Sequence, residues 1–148
     1  MIFKMISLIE QQTSDIDWFF TAGNDIGFVA SGGGLLPNGI ADRSLEEIEL
    51  LSDYFRNLPN RCGITLNINL KLKLTKQYLE AFTDMAEKGL FAFDKTVLNS
   101  FSDSRYHLVA SPLQPLKIDE LPFEIVGLLV KPKGDTKINE HLNTMSFL

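Results

Sequence analysis

The chain has 148 residues, 45% hydrophobic and 22% charged, with eleven Phe and a formal net charge of −5. At this length one domain buries about 70% of its unfolded surface, so no disulfide or metal staple is required and pervasive disorder is excluded. The single cysteine, Cys62, cannot form an internal disulfide, and a lone thiol reads as a reducing, cytoplasmic home.

Acidity is concentrated at one end. Residues 1–60 hold nine acids and three bases, a charge of −6, whereas residues 61–148 hold ten acids and eleven bases, a charge of +1. No basic run is present to displace phosphate counterions, so nucleic acid is not the expected partner, and a basic protein is the electrostatically easier one. Met1 to Ile9 is apolar but too short to span a bilayer and lacks a small-residue cleavage site, so neither a membrane span nor a secretory leader is expected.

In chain order, Ile2, Met5, Ile6 and Ile9 recur at helical spacing, which predicts a short amphipathic helix over 2–12 packed on a sheet. Residues 15–21 and 26–31 are β-patterned and flank the turn residues Ala22-Gly23-Asn24-Asp25, so they predict a hairpin. Ile16, Trp18 and Phe20 then share one face. Phe19 falls on the other with Asp15 and Asp17, under a loop or at the protein's edge.

Ser31-Gly32-Gly33-Gly34-Leu35-Leu36-Pro37 follows, a stretch where side chains are unwanted. Ser44 and Glu47 form a capping-box pair, and Leu45, Ile48, Leu51, Phe55 and Leu58 continue a stripe that Pro59 stops, predicting a helix over 44–58. Ile64 to Leu74 alternates apolar with polar, predicting a strand with one wet face; a competing reading starts the next helix early, near Leu70. Tyr78, Leu79, Phe82, Met85 and Ala86 form a helical stripe ended by Gly89. Residues 90–93 and 105–110 read as strands, and Pro122 opens a last short helix. Residues 1–130 therefore form one α+β domain: a mainly antiparallel sheet of about five strands with helices packed chiefly on one face. Residues 131–148, where apolar density falls, form a loosely held tail.

Chemistry is sparse. The Gly32 to Gly34 loop reads as a structural turn or as a ligand loop, but no Lys-Ser/Thr follows it and the dinucleotide spacing is missing. Only His107 and His141 are available as imidazole ligands, so no metal and no cofactor is expected. His107 belongs to a strand and faces solvent or the far side of the sheet. Cys62 beside Arg61 reads as an inert thiol rather than as a nucleophile paired with His107. Asp15 and Asp17 read either as an acid/base pair or as strand-edge protection, and Asp94-Lys95 is placed either to line a cleft or to guard an edge. Trp18-Phe19-Phe20 reads as core rather than as a stacking platform.

The ordered set Trp18-Phe19-Phe20, Ser31 to Pro37, Gly89 to Lys95 and Tyr106 to Pro112 resembles small bacterial cytosolic proteins of unknown function, of immunity-protein type, across residues 15–130. The resemblance implies a class and no site residue. Two functions are expected from these readings. The first is a non-enzymatic bacterial binding protein that engages a basic partner through its acidic half, with Glu46, Glu49 and Asp53 on the rim of helix 44–58. The second is a small-molecule-binding or enzymatic domain with its pocket at Ser31, Gly32, Gly33 and Gly34. A cleft holding perturbed carboxylates beside the glycines favours the second; a flat acidic face favours the first.

Overall fold

The structure, a computed structural model, describes residues 6–67, 75–134 and 137–147. Ser7 and Glu10 close a reciprocal capping box at the start of α1 (Leu8–Thr13), so this helix begins later than the 2–12 spacing predicts, with residues 1–5 outside the described part. Ile6 is buried ahead of the helix while Leu8 and Ile9 are exposed. The polar Gln11 anchors α1 instead: its Nε2 donates to the Ile6 carbonyl and its Oε1 accepts from the Leu36 amide, both at 2.9 Å.

The predicted hairpin is present as β1 (Asp17–Ala22) and β2 (Asp25–Ala30), paired in register from Asp17↔Ala30 to Ala22↔Asp25. After α2 (Asn38–Ala41) comes α3 (Leu45–Arg56), whose Ser44–Glu47 capping box is formed and whose buried stripe is Ile48, Leu51 and Phe55. Of the strand expected over 64–74, β3 spans Ile64–Leu66; residues 68–74 lie outside the described part. Thr75 caps α4 (Lys76–Glu87) by accepting from the Tyr78 amide. The remaining elements are β4 (Phe91–Lys95), β5 (Arg105–Pro112), α5 (Phe123–Val126) and β6 (His141–Asn143), with 3-10 turns at Ile118–Glu120 and Thr144–Phe147.

The strand order is β1-β2-β4-β5-β3, with β6 also on β5, and the sheet curls into a half-barrel. Among the named strands, every pairing is antiparallel except β2 with β4. Two cores result from the two faces. On one, Phe19, Phe28, Ala92 and Val109 pack against Leu51 and Phe55 of α3 and Phe82 and Met85 of α4. On the other, Trp18, Phe20, Phe93 and Tyr106 pack with Ile6, Leu36 and Ile40. Phe19 is therefore not at an edge: it is fully buried, 4.7 Å from the ring of Phe55, because α3 covers that face.

Residues 141–143 add a strand to β5, a contact made by backbone hydrogen bonds that need no apolar side chain. Phe147 then stands edge-on to Trp18 and Phe20, with centroids 5.4 and 5.3 Å apart. Among the described residues, no helix is long and apolar enough to cross a membrane.

Trp18 is 1% exposed among these rings, and its Nε1 has no hydrogen-bond partner among the described residues. Trp18→Ala is expected to cost about 3–5 kcal/mol, read from urea unfolding. The native protein should emit in the blue and resist iodide quenching; a red, readily quenched emission contradicts the packing.

Candidate functional site

Asp17, Ala30, Asp94 and His107 occupy one cross-strand row. The register pairs Asp17 with Ala30, Ala30 with Asp94, and Asp94 with His107. At a strand spacing of about 4.8 Å the Cα atoms of the two aspartates stand roughly 10 Å apart. Ala30 lies between them and leaves a gap. The row sits at the carboxyl ends of the parallel pair β2 and β4, on the face that carries α3 and α4, and a cleft of about 420 Å³ opens over it. Phe28, Ala30 and Phe82 contribute its apolar lining; Asp15, Asp17, Arg56, Tyr78 and Asp94 contribute its polar groups.

Each helix latches one carboxylate. Arg56, in the last turn of α3, forms an ion pair with Asp17. Tyr78, in the first turn of α4, donates its hydroxyl to Asp94 Oδ2 at 2.6 Å, while the Lys95 amide donates to Oδ1 at 2.8 Å. Burial pushes the Asp17 carboxyl above the ordinary aspartate range, against the pull of Arg56. Burial likewise raises Asp94, and the Tyr78 and Lys95 hydrogen bonds only partly offset it. Burial and the neighbouring Asp94 hold Tyr78 protonated well above its usual range, so it remains a donor. His107 is half-buried on the same face rather than turned to solvent; desolvation lowers its pKa, and its Nδ1 lies 3.1 Å from Thr96 Oγ1.

The glycine loop adjoins this cleft and serves it from behind. The Gly32 amide donates to Asp15 Oδ1 at 3.0 Å, holding that carboxylate on the cleft rim. Ser31 is fully buried: its hydroxyl accepts from the Ile16 amide at 2.8 Å, and its carbonyl accepts from the Tyr106 hydroxyl at 3.0 Å. Gly32 and Gly33 both adopt positive φ. At Gly34 a Cβ would come within 2.7 Å of Tyr106 Oη and 3.0 Å of Lys95 Nζ. The glycines thus let the chain close over Lys95, which is 2% exposed and donates to the Asp103 carbonyl at 2.6 Å. Ser31 and Gly34 are buried; Gly32 and Gly33 line a separate recess of about 240 Å³ with Asn99 and Ser100.

Glu46, Glu49 and Asp53 are exposed on α3, away from Asp17 and Asp94, and none has an ion pair among the described residues. The Cys62 thiol lies 3.6 Å from the Ala86 carbonyl and makes no bond to His107. Among the described residues, no three His, Cys, Asp or Glu side chains are placed to hold one metal ion. The sequence singles out the Asp15–Asp17 pair and, apart from it, Asp94, but gives no role to Arg56 or Tyr78. Tyr78 reads as one more member of an apolar helical stripe, and nothing in the sequence singles out Arg56.

Comparison with protein-family models, curated proteins and solved structures gave no match. The geometry alone therefore carries the functional reading, and the resemblance to immunity-type proteins gains no support from these comparisons.

Asp17 and Asp94 bind their protons more tightly in the folded chain than in the unfolded one. Their contribution to stability is therefore complete below about pH 3.8, the unperturbed value, and is lost as pH rises through their raised values. Carboxyl carbon NMR should show both titrating above 3.8. Tyr78→Phe should move Asp94 further upward while leaving Asp17 in place; an unmoved Asp94 contradicts the hydrogen bond.

Proposed function

We propose that this protein binds a small polar ligand in the cleft between Asp17 and Asp94, with Asp94 as the group that exchanges a proton with it. The observation that carries this reading is convergence: two carboxylates, a guanidinium and a phenol from four different elements meet over an apolar floor at the open ends of a parallel strand pair. Open α/β sheets bind ligands in the crevice outside such carboxyl ends, an analogy drawn from architecture alone. The volume also falls within the range of about 300–1,000 Å³ usual for small-molecule sites.

Ala30 supplies the test, because a larger side chain there fills the gap without removing any polar group. Titration of the full chain with erythritol, methylamine and acetamide, followed by amide NMR, should shift Ala30, Tyr78, Ala81 and Asp94 for at least one probe. Ala30→Leu should weaken that response about tenfold, equivalent to ~1.4 kcal/mol. Shifts that survive Ala30→Leu unchanged, or that gather elsewhere, sink the proposal.

A second reading, engagement of a basic protein, is favoured by one observation. Glu46, Glu49 and Asp53 are exposed without ion pairs among the described residues, and Leu50 between them is 52% exposed. On that reading the protein is a bacterial binding protein of immunity or regulatory type. Reversing Glu46, Glu49 and Asp53 to Lys should slow association with a basic partner and flatten its salt dependence, since steering by exposed charge is screened beyond about 8 Å at physiological ionic strength. Stability should change by no more than about 0.5 kcal/mol. A salt-insensitive association rate excludes this mechanism.

A further inference from the structure

Asp94 is a half-buried carboxyl whose hydrogen bonds come from neutral groups. Its Oδ2 accepts from the Tyr78 hydroxyl at 2.6 Å and its Oδ1 from the Lys95 amide at 2.8 Å. Among the described residues no ion pair reaches it. Arg56, the guanidinium that lines the same cleft, is committed elsewhere: it pairs with Asp17, and its Nε donates to Ser52 Oγ at 3.0 Å. The Lys95 ammonium is turned away and donates to the Asp103 carbonyl.

The titratable and charged groups that face Asp94 among the described residues are Asp15 ahead of β1, Asp17 on β1, Arg56 from α3, Tyr78 from α4 and His107 on β5. Asp15 opposes its ionisation and His107 favours it, yet burial outweighs every favourable contact. A carboxylate oxygen has two lone-pair sites, so Oδ1 and Oδ2 each retain one after the bonds already made. Withdrawing such a charge from water is costly until a counter-ion and further donors reach it. Ala30, which neighbours Asp94 in register, and Ala81, exposed on α4, are the small side chains of the lining and leave room for an alkyl body.

We propose that the ligand of this cleft is a small primary alkylamine bound as its ammonium ion, with its N–H donors on Asp94 and its alkyl body over Ala30 and Ala81. The assignment rests on the reading of the cleft as a ligand site and narrows it to one charge and one head group. An ammonium brings both the counter-charge and the donors, whereas an anion would face Asp15, Asp17 and Asp94 together. The ammonium pairs with the ionised carboxylate, so a proton held by Asp94 in the free protein passes to solvent when the amine binds.

The experiment titrates the full chain with propylamine, propionamide and propionate, which are alike in size and differ in charge, at one ionic strength. Amide signals of Ala30, Tyr78, Ala81 and Asp94 and the Asp94 carboxyl carbon are the readouts. Propylamine should bind about tenfold more tightly than propionamide, the difference between a charged and a neutral donor to a carboxylate, and propionate more weakly than either. Its affinity should rise with pH as Asp94 ionises, and saturation with it should move the Asp94 carboxyl titration to lower pH. Asp94→Asn should bring propylamine down to the level of propionamide; Glu49→Gln, on the exposed side of α3, should leave the preference intact. Signals from the recess of about 410 Å³ on the other face of the sheet, lined by Leu142 and Asn143, should stay in place. The carboxyl titration uses the unaltered chain, so it decides even where a variant fails to fold. Propionamide bound as tightly as propylamine, a preference that survives Asp94→Asn, or an Asp94 titration unmoved by the amine overturns the amine assignment and leaves the cleft a ligand site; no response at Ala30 and Asp94 to any probe overturns both.

Discussion

The parallel pairing of β2 with β4 is the constraint on which the rest of the molecule depends. Parallel neighbours cannot be joined by a tight turn, so the chain must travel back along the sheet before pairing again. Here it does so through α2, α3, β3 and α4. That crossover lays α3 and α4 over one face and buries Phe19, Phe28 and Phe82 beneath them. It also leaves the carboxyl ends of β2 and β4 uncovered, with the end of α3 and the start of α4 beside them. Arg56 and Tyr78 reach Asp17 and Asp94 from there.

A bulge between β4 and β5 decides which side chains join that row. Ala92 faces Ala110, but Phe93 already faces Leu108, so Val109 is the extra residue. Asp94 therefore meets His107 on the helix-bearing face, and Lys95 meets Tyr106 on the other. The second pairing has its own cost. Burial lowers the pKa of Lys95, whose ammonium has the Asp103 carbonyl and the Tyr106 ring, 5.5 Å from its centroid, for company. The glycine loop is what seals it, and through Asp15 the same loop touches the cleft on the far face.

The two faces thus carry recesses with different linings among the described residues. Alternation along β1 and β4 separates them: Asp17 and Asp94 point to one side, Phe20 and Phe93 to the other. A change confined to one recess need not reach the other, which makes their properties separable by substitution.

Much of the local structure was legible in the chain itself. The Ser44–Glu47 box, the stripe Ile48, Leu51, Phe55 and the alternation of Trp18 with Phe20 each specify an element through neighbours a few residues apart, and the α+β architecture with a mainly antiparallel sheet follows from them. The glycines announce a backbone place without room for side chains; at Gly34 an added Cβ would meet Tyr106 Oη and Lys95 Nζ. The candidate site was legible only in fragments, because Asp17, Arg56, Tyr78 and Asp94 are spread over 78 positions of sequence. Their meeting depends on the parallel pairing and on the Val109 bulge, both of which are settled by long-range packing. Local hydrogen bonding and periodicity act over one helical turn or one strand pair, so the chain by itself could determine its elements and which residues are apolar. Which carboxylates face each other, and across what gap, was decided only when the crossover brought distant strands into register.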